Sequence, residues 1–206
     1  MNKKLVIGIG GVATSGKDTL CQLLIEHFSI HGIHAYRRAL ADELKNEIQP
    51  RLINDYGIDV WNCTKVEKEK IRPELVALGK ERRLESKGTF WTNILQQKMA
   101  HDNGDVLIVP DIRYNFYPED EAYWVRKKNQ GLLTHVCRWE LDKEGNKKYI
   151  EAPNDEEREN DPLVRRDADF SLTWGSEELD VLRLKYWGFL ETLVLVAKNE
   201  LQRLKR

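Results

Sequence analysis

Apolar positions follow two rhythms along this chain. Leu5 to Ile9 is an unbroken apolar run, the pattern of a strand buried on both faces of a parallel sheet. After a glycine-rich turn, Leu20, Leu23, Leu24 and Phe28 recur at helical spacing. They predict an amphipathic helix from about Lys17 to His31, stopped by Gly32. His34 to Leu40 reads as a second short strand. Asp42 then caps a helix running to about Asn54, with Leu44, Ile48 and Leu52 on one face. From Tyr56 to His101 charges are dense and Pro73 punctuates, yet apolar residues keep helical spacing, so two or more helices are expected. Asp105 to Val109 is the next strand. Pro118 to Gln130 reads as a helix opened by a proline and three acids, closed by Lys127 and Lys128, and stopped by Gly131. Leu132 to Trp139 is a strand, followed by a hairpin turn around Gly145 and Asn146. The stretch APNDEERENDPLVRRD has too few apolar residues to enter a core. Ala168 to Trp174 makes a last strand, and Glu177 to about Leu204 a long C-terminal helix.

Strands alternating with helices predict a three-layer α/β/α fold with a parallel sheet, in one domain of 206 residues. Its core strands fall near 4–10, 34–40, 105–110, 132–140 and 168–174. No internal repeat or low-complexity linker interrupts it. A formal net charge of −1 excludes a surface built to coat nucleic acid, so any anion must be bound by local clusters of cations. Three cysteines, an odd number without paired spacing, point to free thiols in a reducing, cytoplasmic setting. The N-terminus has a basic start, but its apolar run is short and ends in glycines, which suits a buried strand better than a signal peptide. No apolar stretch is long enough to span a membrane.

The turn after the first strand, GVATSGKDTL, matches the phosphate-binding loop G-x-x-x-x-G-K, in the strand–loop–helix context that gives the motif meaning. Gly11, Ala13, Thr14, Ser15, Gly16, Lys17, Asp18 and Thr19 are the ATP-binding candidates. Backbone N–H groups from Thr14 to Thr19 would wrap a phosphate at the helix N-terminus, and Lys17 would reach the terminal phosphates as a point charge. Asp18 stands where a magnesium-binding serine or threonine is usual. A carboxylate beside bound phosphate needs magnesium or a substrate proton to offset repulsion, so Asp18 is a metal candidate, through water or directly, with the Thr19 hydroxyl next to it.

A second constellation is VLIVPDIRYN. An acid at the C-terminal end of a buried parallel strand lies where open α/β sheets bind their ligands. Asp111 is thus a candidate to orient magnesium or accept a proton, and Arg113 to clamp an acceptor phosphate or balance transition-state charge. Arg37, Arg38, Lys45, Arg72, Arg82, Arg83, Arg158, Arg165 and Arg166 are cationic candidates by type. The last three lie in the polar segment, within about 142–167, that suits a mobile lid. Trp91, Tyr114 and Phe116 are aromatic enough to stack on a base but also suit core or rim packing. His27, His31 and His34 flank a helix end, where a histidine is a favourable C-terminal cation, and no structural metal is expected there.

The segments GKDT (Gly16 to Thr19), ALADELK (Ala39 to Lys45), PDIR (Pro110 to Arg113) and NDP…AD…TW (Asn160 to Trp174) together resemble the bacteriophage deoxynucleoside monophosphate kinases, within the nucleoside-monophosphate-kinase-like group of P-loop proteins. That family carries aspartate after the loop lysine, so the resemblance implies that Asp18 is tolerated there and useful. It implies a P-loop NTPase fold, ATP and Mg2+ as cofactors, and an acceptor-side helical region over about 42–100. Asp42 and Lys45 become substrate-side candidates, with Arg38 beside them, and LVALGKERR followed by Trp91 adds Arg72, Arg82 and Trp91. The resemblance also implies adenine near Thr173 to Ser176.

The leading expectation is therefore an ATP- and magnesium-dependent phosphotransferase that converts a deoxynucleoside 5′-monophosphate to the diphosphate. The same fold with another acceptor stays open: dephospho-coenzyme A, phosphomevalonate or a modified base in DNA, the last disfavoured by the near-neutral composition. A regulatory nucleotide-binding module is the reading from a different class. Expected partners are small nucleotides, with a homodimer left open and neither membrane nor nucleic acid expected. A phage-encoded chain would work in the host cytoplasm.

Overall fold

The computed structural model describes residues 4–204. Five strands run parallel in the order β2–β3–β1–β4–β6, with β2 Ala35–Arg37, β3 Val106–Ile112, β1 Leu5–Gly10, β4 Leu132–Leu141 and β6 Phe170–Gly175. The period-2 rule splits β1 between two cores. Leu5, Ile7 and Ile9 face a layer made by α1 (Lys17–Ile30), α7 (Leu179–Lys185) and α8 (Trp187–Leu204). Val6 faces the opposite layer, made by the start of α2 (Leu40–Tyr56), α4 (Phe90–Met99), α5 (Glu121–Tyr123) with its continuation, and α6 (Asp155–Arg166). This is the three-layer α/β/α P-loop NTPase fold. The chain leaves β1 toward one layer and its neighbour β3 toward the other. The crevice between their C-terminal ends is therefore the topological switch point, where such sheets bind ligands.

The short strand β5 (Lys147–Tyr149) breaks the parallel pattern by pairing antiparallel with the end of β4. The Arg138 carbonyl accepts from the Ile150 N–H at 2.9 Å and the Trp139 carbonyl from the Ser176 N–H at 3.0 Å. Successive carbonyls point to opposite edges of a strand, so β5 lies on the β1 side of β4. Pairing of β1 with β4 ends at Gly10 and His135, so the hairpin extends the sheet past the point where the phosphate loop departs.

Several expectations are corrected. The second strand spans only Ala35–Arg37, and α2 starts at Leu40 with Asp42 inside its first turn. The cap comes from far away: the Asp111 carboxylate accepts the N–H groups of Leu40 (3.0 Å) and Ala41 (2.7 Å). The helix predicted over Pro118 to Gln130 is one α turn continued as a π turn, Trp124–Lys128. That wider turn seats two consecutive residues, Trp124 and Val125, in the core. The C-terminal helix is interrupted at Tyr186, whose hydroxyl reaches back to the Thr173 carbonyl at 3.2 Å.

The polar segment is not a loose strap. It forms α6, capped by Asn154 accepting from the Glu157 N–H at 2.8 Å, with Glu157, Asn160 and Val164 buried. Val164 is the one apolar residue among these three, so the pattern carried no core signal. It sits on Gly10, where an added Cβ would lie 2.5 Å from the Val164 Cγ1. Only a residue without a side chain lets α6 approach the sheet this closely.

The helices α2 and α3 (Lys65–Ser86) close a small core of their own, with Ile48, Leu52, Ile58, Val60 and Ile71. Pro73 lies inside α3 rather than dividing it. Besides the Asp111 cap on α2, the buried pair Arg83–Asp120 ties α3 to the segment after β3. Asp120 takes the guanidinium through both oxygens (2.7 Å at Nη2) and accepts the N–H groups of Phe116, Tyr117 and Glu121, each at 3.1 Å. Removing one partner of such a pair strands a buried charge. Asp120→Ala should therefore lower the free energy of unfolding by about 3–5 kcal/mol in urea titration, while Arg51→Ala, an exposed pairing to Glu74, should cost under about 1 kcal/mol.

Candidate active site

Between β1 and α1 the chain makes the loop that the motif predicted. Gly16 caps α1 in the left-handed region (φ 94°), and no side chain bonds the first helical N–H groups. Those donors are left for an anion. A side chain at Gly16 would strike the Trp174 ring, 2.6 Å from its Cζ2, and the Trp174 indole N–H donates to the Ser15 carbonyl at 2.9 Å. The tryptophan of the last strand thus fixes the loop from beneath. The Ser15 hydroxyl is buried and has no partner.

Lys17 is almost wholly buried, its ammonium donating to the carbonyls of Gly11 (2.8 Å) and Val12 (2.6 Å). Burial, reinforced by nearby Arg113, lowers its pKa to about 8, against the opposing pull of Glu157, Asp111 and Asp18. Glu157 enters this field from α6. Its Oε2 accepts the Ala13 N–H at 2.8 Å, and its Oε1 pairs with the Arg113 guanidinium. A carboxylate thus holds both a loop amide and Arg113, so the loop fits an anionic ligand in charge and donor geometry. Glu157 was hidden in the polar segment, where attention to cations passed over it.

β3 runs to Ile112, so Asp111 is its penultimate residue and Arg113 follows its end. Both Asp111 oxygens are occupied by the start of α2, as above. Enclosure of that carboxyl raises its pKa, against the lowering effect of the Ala41 and Leu40 N–H groups. The backbone of Arg113 and Tyr114 is held by Glu121, whose Oε2 accepts their N–H groups at 2.7 and 3.2 Å. Burial, with Asp120 beside it, pushes Glu121 up to about 8.

The remaining candidates divide. Asp18 is exposed at the first turn of α1, with Arg37 Nε 3.5 Å from its carboxylate, and Arg37 also holds Asp42 at 2.7 Å. Thr19 lies in the same turn. Arg38 turns the other way and pairs with Asp102 (2.7 Å from Nε), so it is Arg37 that meets the loop. Arg37 is the last residue of β2 and Arg38 the first beyond it, and the two side chains take different partners. Lys45 lies over the Trp61 ring at 4.7 Å. Arg72 pairs with Glu69 on the surface, and Arg82 with Glu47 at 2.8 Å. Trp91 is buried in the core against Phe90. Arg158 pairs with Asp155 and Arg166 with Asp167, while Arg165 is exposed, so these three do not gather at the loop.

Next to Glu157, a cavity of about 330 Å3 is lined by Lys80, Arg83, Phe116, Tyr117, Glu156 and Asn160, among others. Arg83 and Phe116 were candidates by type; Lys80 was not. Arg83 is committed to Asp120 and lies 3.8 Å from the Tyr114 ring centroid. Lys80 is the freer cation, 3.6 Å from Glu156. No helix among the described residues is long and apolar enough to cross a membrane.

The chain matches no protein-family model and no curated protein sequence. A solved structure of a mutant of the Mycobacterium tuberculosis APS kinase CysC is similar over 93% of this chain and 99% of that chain, with 16% identity and a TM-score of 0.41.

Two predictions follow from these carboxylates. Glu157→Gln keeps an acceptor for the Ala13 N–H but removes the charge that competes with an incoming anion, so pyrophosphate and ATP should bind about tenfold or more tightly in calorimetry, a charge-assisted bond being worth about 1.5–3 kcal/mol. Weaker binding would instead mean that Glu157 works alongside the bound ligand. The folded pKa of Glu121 lies above the ordinary 4.5, so its contribution to stability is full at acid pH and is lost as pH rises toward about 8. Glu121→Gln, which can accept both N–H groups through one oxygen, should flatten that decline. It should exceed the parent by on the order of 1–3 kcal/mol at pH 8.

Proposed function

We propose that the protein transfers a phosphoryl group from ATP to a small nucleotide, with a deoxynucleoside 5′-monophosphate as the acceptor. The observation that carries this reading is the arrangement around Glu157. Glu157 contacts the loop amide of Ala13 and Arg113, while its neighbours on α6, Glu156 and Asn160, line a cavity that also bears Lys80 and the exposed ring of Phe116. A nucleotide switch needs the loop alone. A kinase needs a second, cation-bearing cavity for its acceptor. The choice of acceptor rests on the resemblance of the GKDT, ALADELK and PDIR segments to the phage kinases.

In this reading the loop N–H groups and Lys17 bind the donor phosphates, and the Ser15 hydroxyl gains the partner it lacks. Arg113, released from Glu157, balances charge on the transferring group. Asp18 and Thr19 supply the oxygen donors that suit Mg2+, which neutralises phosphate charge when bound. Asp111 has one lone-pair direction on each oxygen taken by α2, so it acts through water or a proton and also fixes α2 against the crevice. The chemistry asks for positioning and electrostatics rather than covalent work from the protein.

The test is ADP release with ATP and Mg2+ against single deoxynucleoside monophosphates. One or more should stimulate turnover strongly. Lys17→Ala should cut turnover at least ~100-fold with the fold intact, Arg113→Ala should impair acceptor use most, and Asp111→Asn should lower kcat more than ATP affinity. ATP binding without stimulation by any monophosphate would move the acceptor elsewhere or remove the kinase reading.

A further inference from the structure

At the far end of α1, ten residues or about 15 Å from Lys17 along the helix axis, three side chains converge that phosphoryl transfer does not use. His27 and His31 are one helical turn apart and so share a face. Glu191 reaches them from α8, and its Oε1 lies 3.0 Å from the Nε2 of each. One ligand atom from each residue falls within 4.8 Å of the others. We propose that His27, His31 and Glu191 form a binding site for one divalent transition-metal ion, with Zn2+ the best fit.

Two of the three donor separations are close to what the ion needs, and the two imidazole nitrogens lie within 4.8 Å of each other. At Zn–N and Zn–O distances of about 2.0–2.1 Å, donors at the corners of a tetrahedron stand about 3.3 Å apart. The two observed His–Glu separations have to widen by only a few tenths of an ångström. Two imidazoles and one carboxylate form a donor set suited to Zn2+ and its neighbours and poorly suited to Mg2+ or Ca2+, so this site is chemically separate from any nucleotide-bound magnesium. His27 is 2% exposed, with its ring edge-on to Trp187 at 4.5 Å; His31 and Glu191 are 23% and 30% exposed. One anchored ligand and two reachable ones leave the fourth position open to water. This reverses the expectation from sequence for two of the three histidines. His34 stands apart beside Tyr36, and the third ligand comes from a helix more than 150 residues away.

Lys198 opposes the ion. Its ammonium donates to the His31 Nδ1 at 3.1 Å, which keeps that ring's proton on Nε2, where it points at Glu191. For Nε2 to bind a metal, the proton must pass to Nδ1, and two donors would then face each other. Lys198 has to swing away, so its removal should favour the metal.

Calorimetric titration of the metal-free full chain with Zn2+, and the visible absorption of Co2+ as a spectroscopic probe, test the site. One equivalent should bind. His31→Gln and Glu191→Gln, both at partly exposed positions, should each weaken binding by more than about 100-fold, beyond the roughly 10–100-fold usual for an outer partner. Lys198→Met should tighten it by roughly tenfold, a gain that misfolding cannot imitate. Absence of binding at millimolar Zn2+, binding that survives both glutamine variants, or unchanged affinity in Lys198→Met would overturn the proposal.

Discussion

A concentration of positive potential at one edge of the sheet governs this molecule. Lys17 is buried beside the uncapped N-terminus of α1, with the partly exposed Arg113 close by, and an unpaired charge on a buried ammonium is costly whether or not ligand is bound. The protein meets the demand internally. The Lys17 ammonium is absorbed by loop carbonyls, and Glu157 lies across Arg113 and the Ala13 amide. The site is charge-matched in advance, so an anion entering it would compete with the Glu157 carboxylate.

The same economy of acids runs through the loop after β3. Asp111, Asp120 and Glu121 each accept backbone N–H groups from a neighbouring element: the start of α2, the turn at Phe116 and Tyr117, and Arg113 with Tyr114. Together with Arg83 they weld the helical layer to the sheet edge. The backbone at Arg113 is thus held by Glu121, a buried acid outside the phosphate loop.

Much of this was legible in the sequence because it depends on local rules. The run Leu5–Ile9, the loop glycines and the stripe from Leu20 to Phe28 are patterns that backbone geometry imposes on any strand, turn and helix of this kind. What stayed hidden depends on distance. Asp42 looked like a helix cap, but Asp111, about seventy residues on, supplies it. The helix α6 buries a glutamate, an asparagine and a single valine, and its contact with the sheet comes from the missing side chain of Gly10. Arg38 and Arg37 are equivalent by type, and only the fold separates the one that meets Asp18 from the one that meets Asp102. The histidine pair was visible at its helical spacing, but Glu191 was not, since nothing local links α1 to α8.

How the site opens follows from which half of α6 is anchored. Its C-terminal half is held by Val164 on Gly10, by Asp161 bonded to His135 at 2.9 Å, and by Asn115 donating to the Leu163 carbonyl at 3.2 Å. Its N-terminal half has an asparagine cap, the exposed pair Arg158–Asp155 and a long ion pair between Glu156 and Lys80. Glu157 belongs to this looser half. A ligand therefore needs to release one turn of helix and one carboxylate, while the buried half keeps its hold on the sheet. If the segment expected to be a mobile lid opens, its anchoring confines the movement to the first turn, and the pair between Glu157 and Arg113 opposes it.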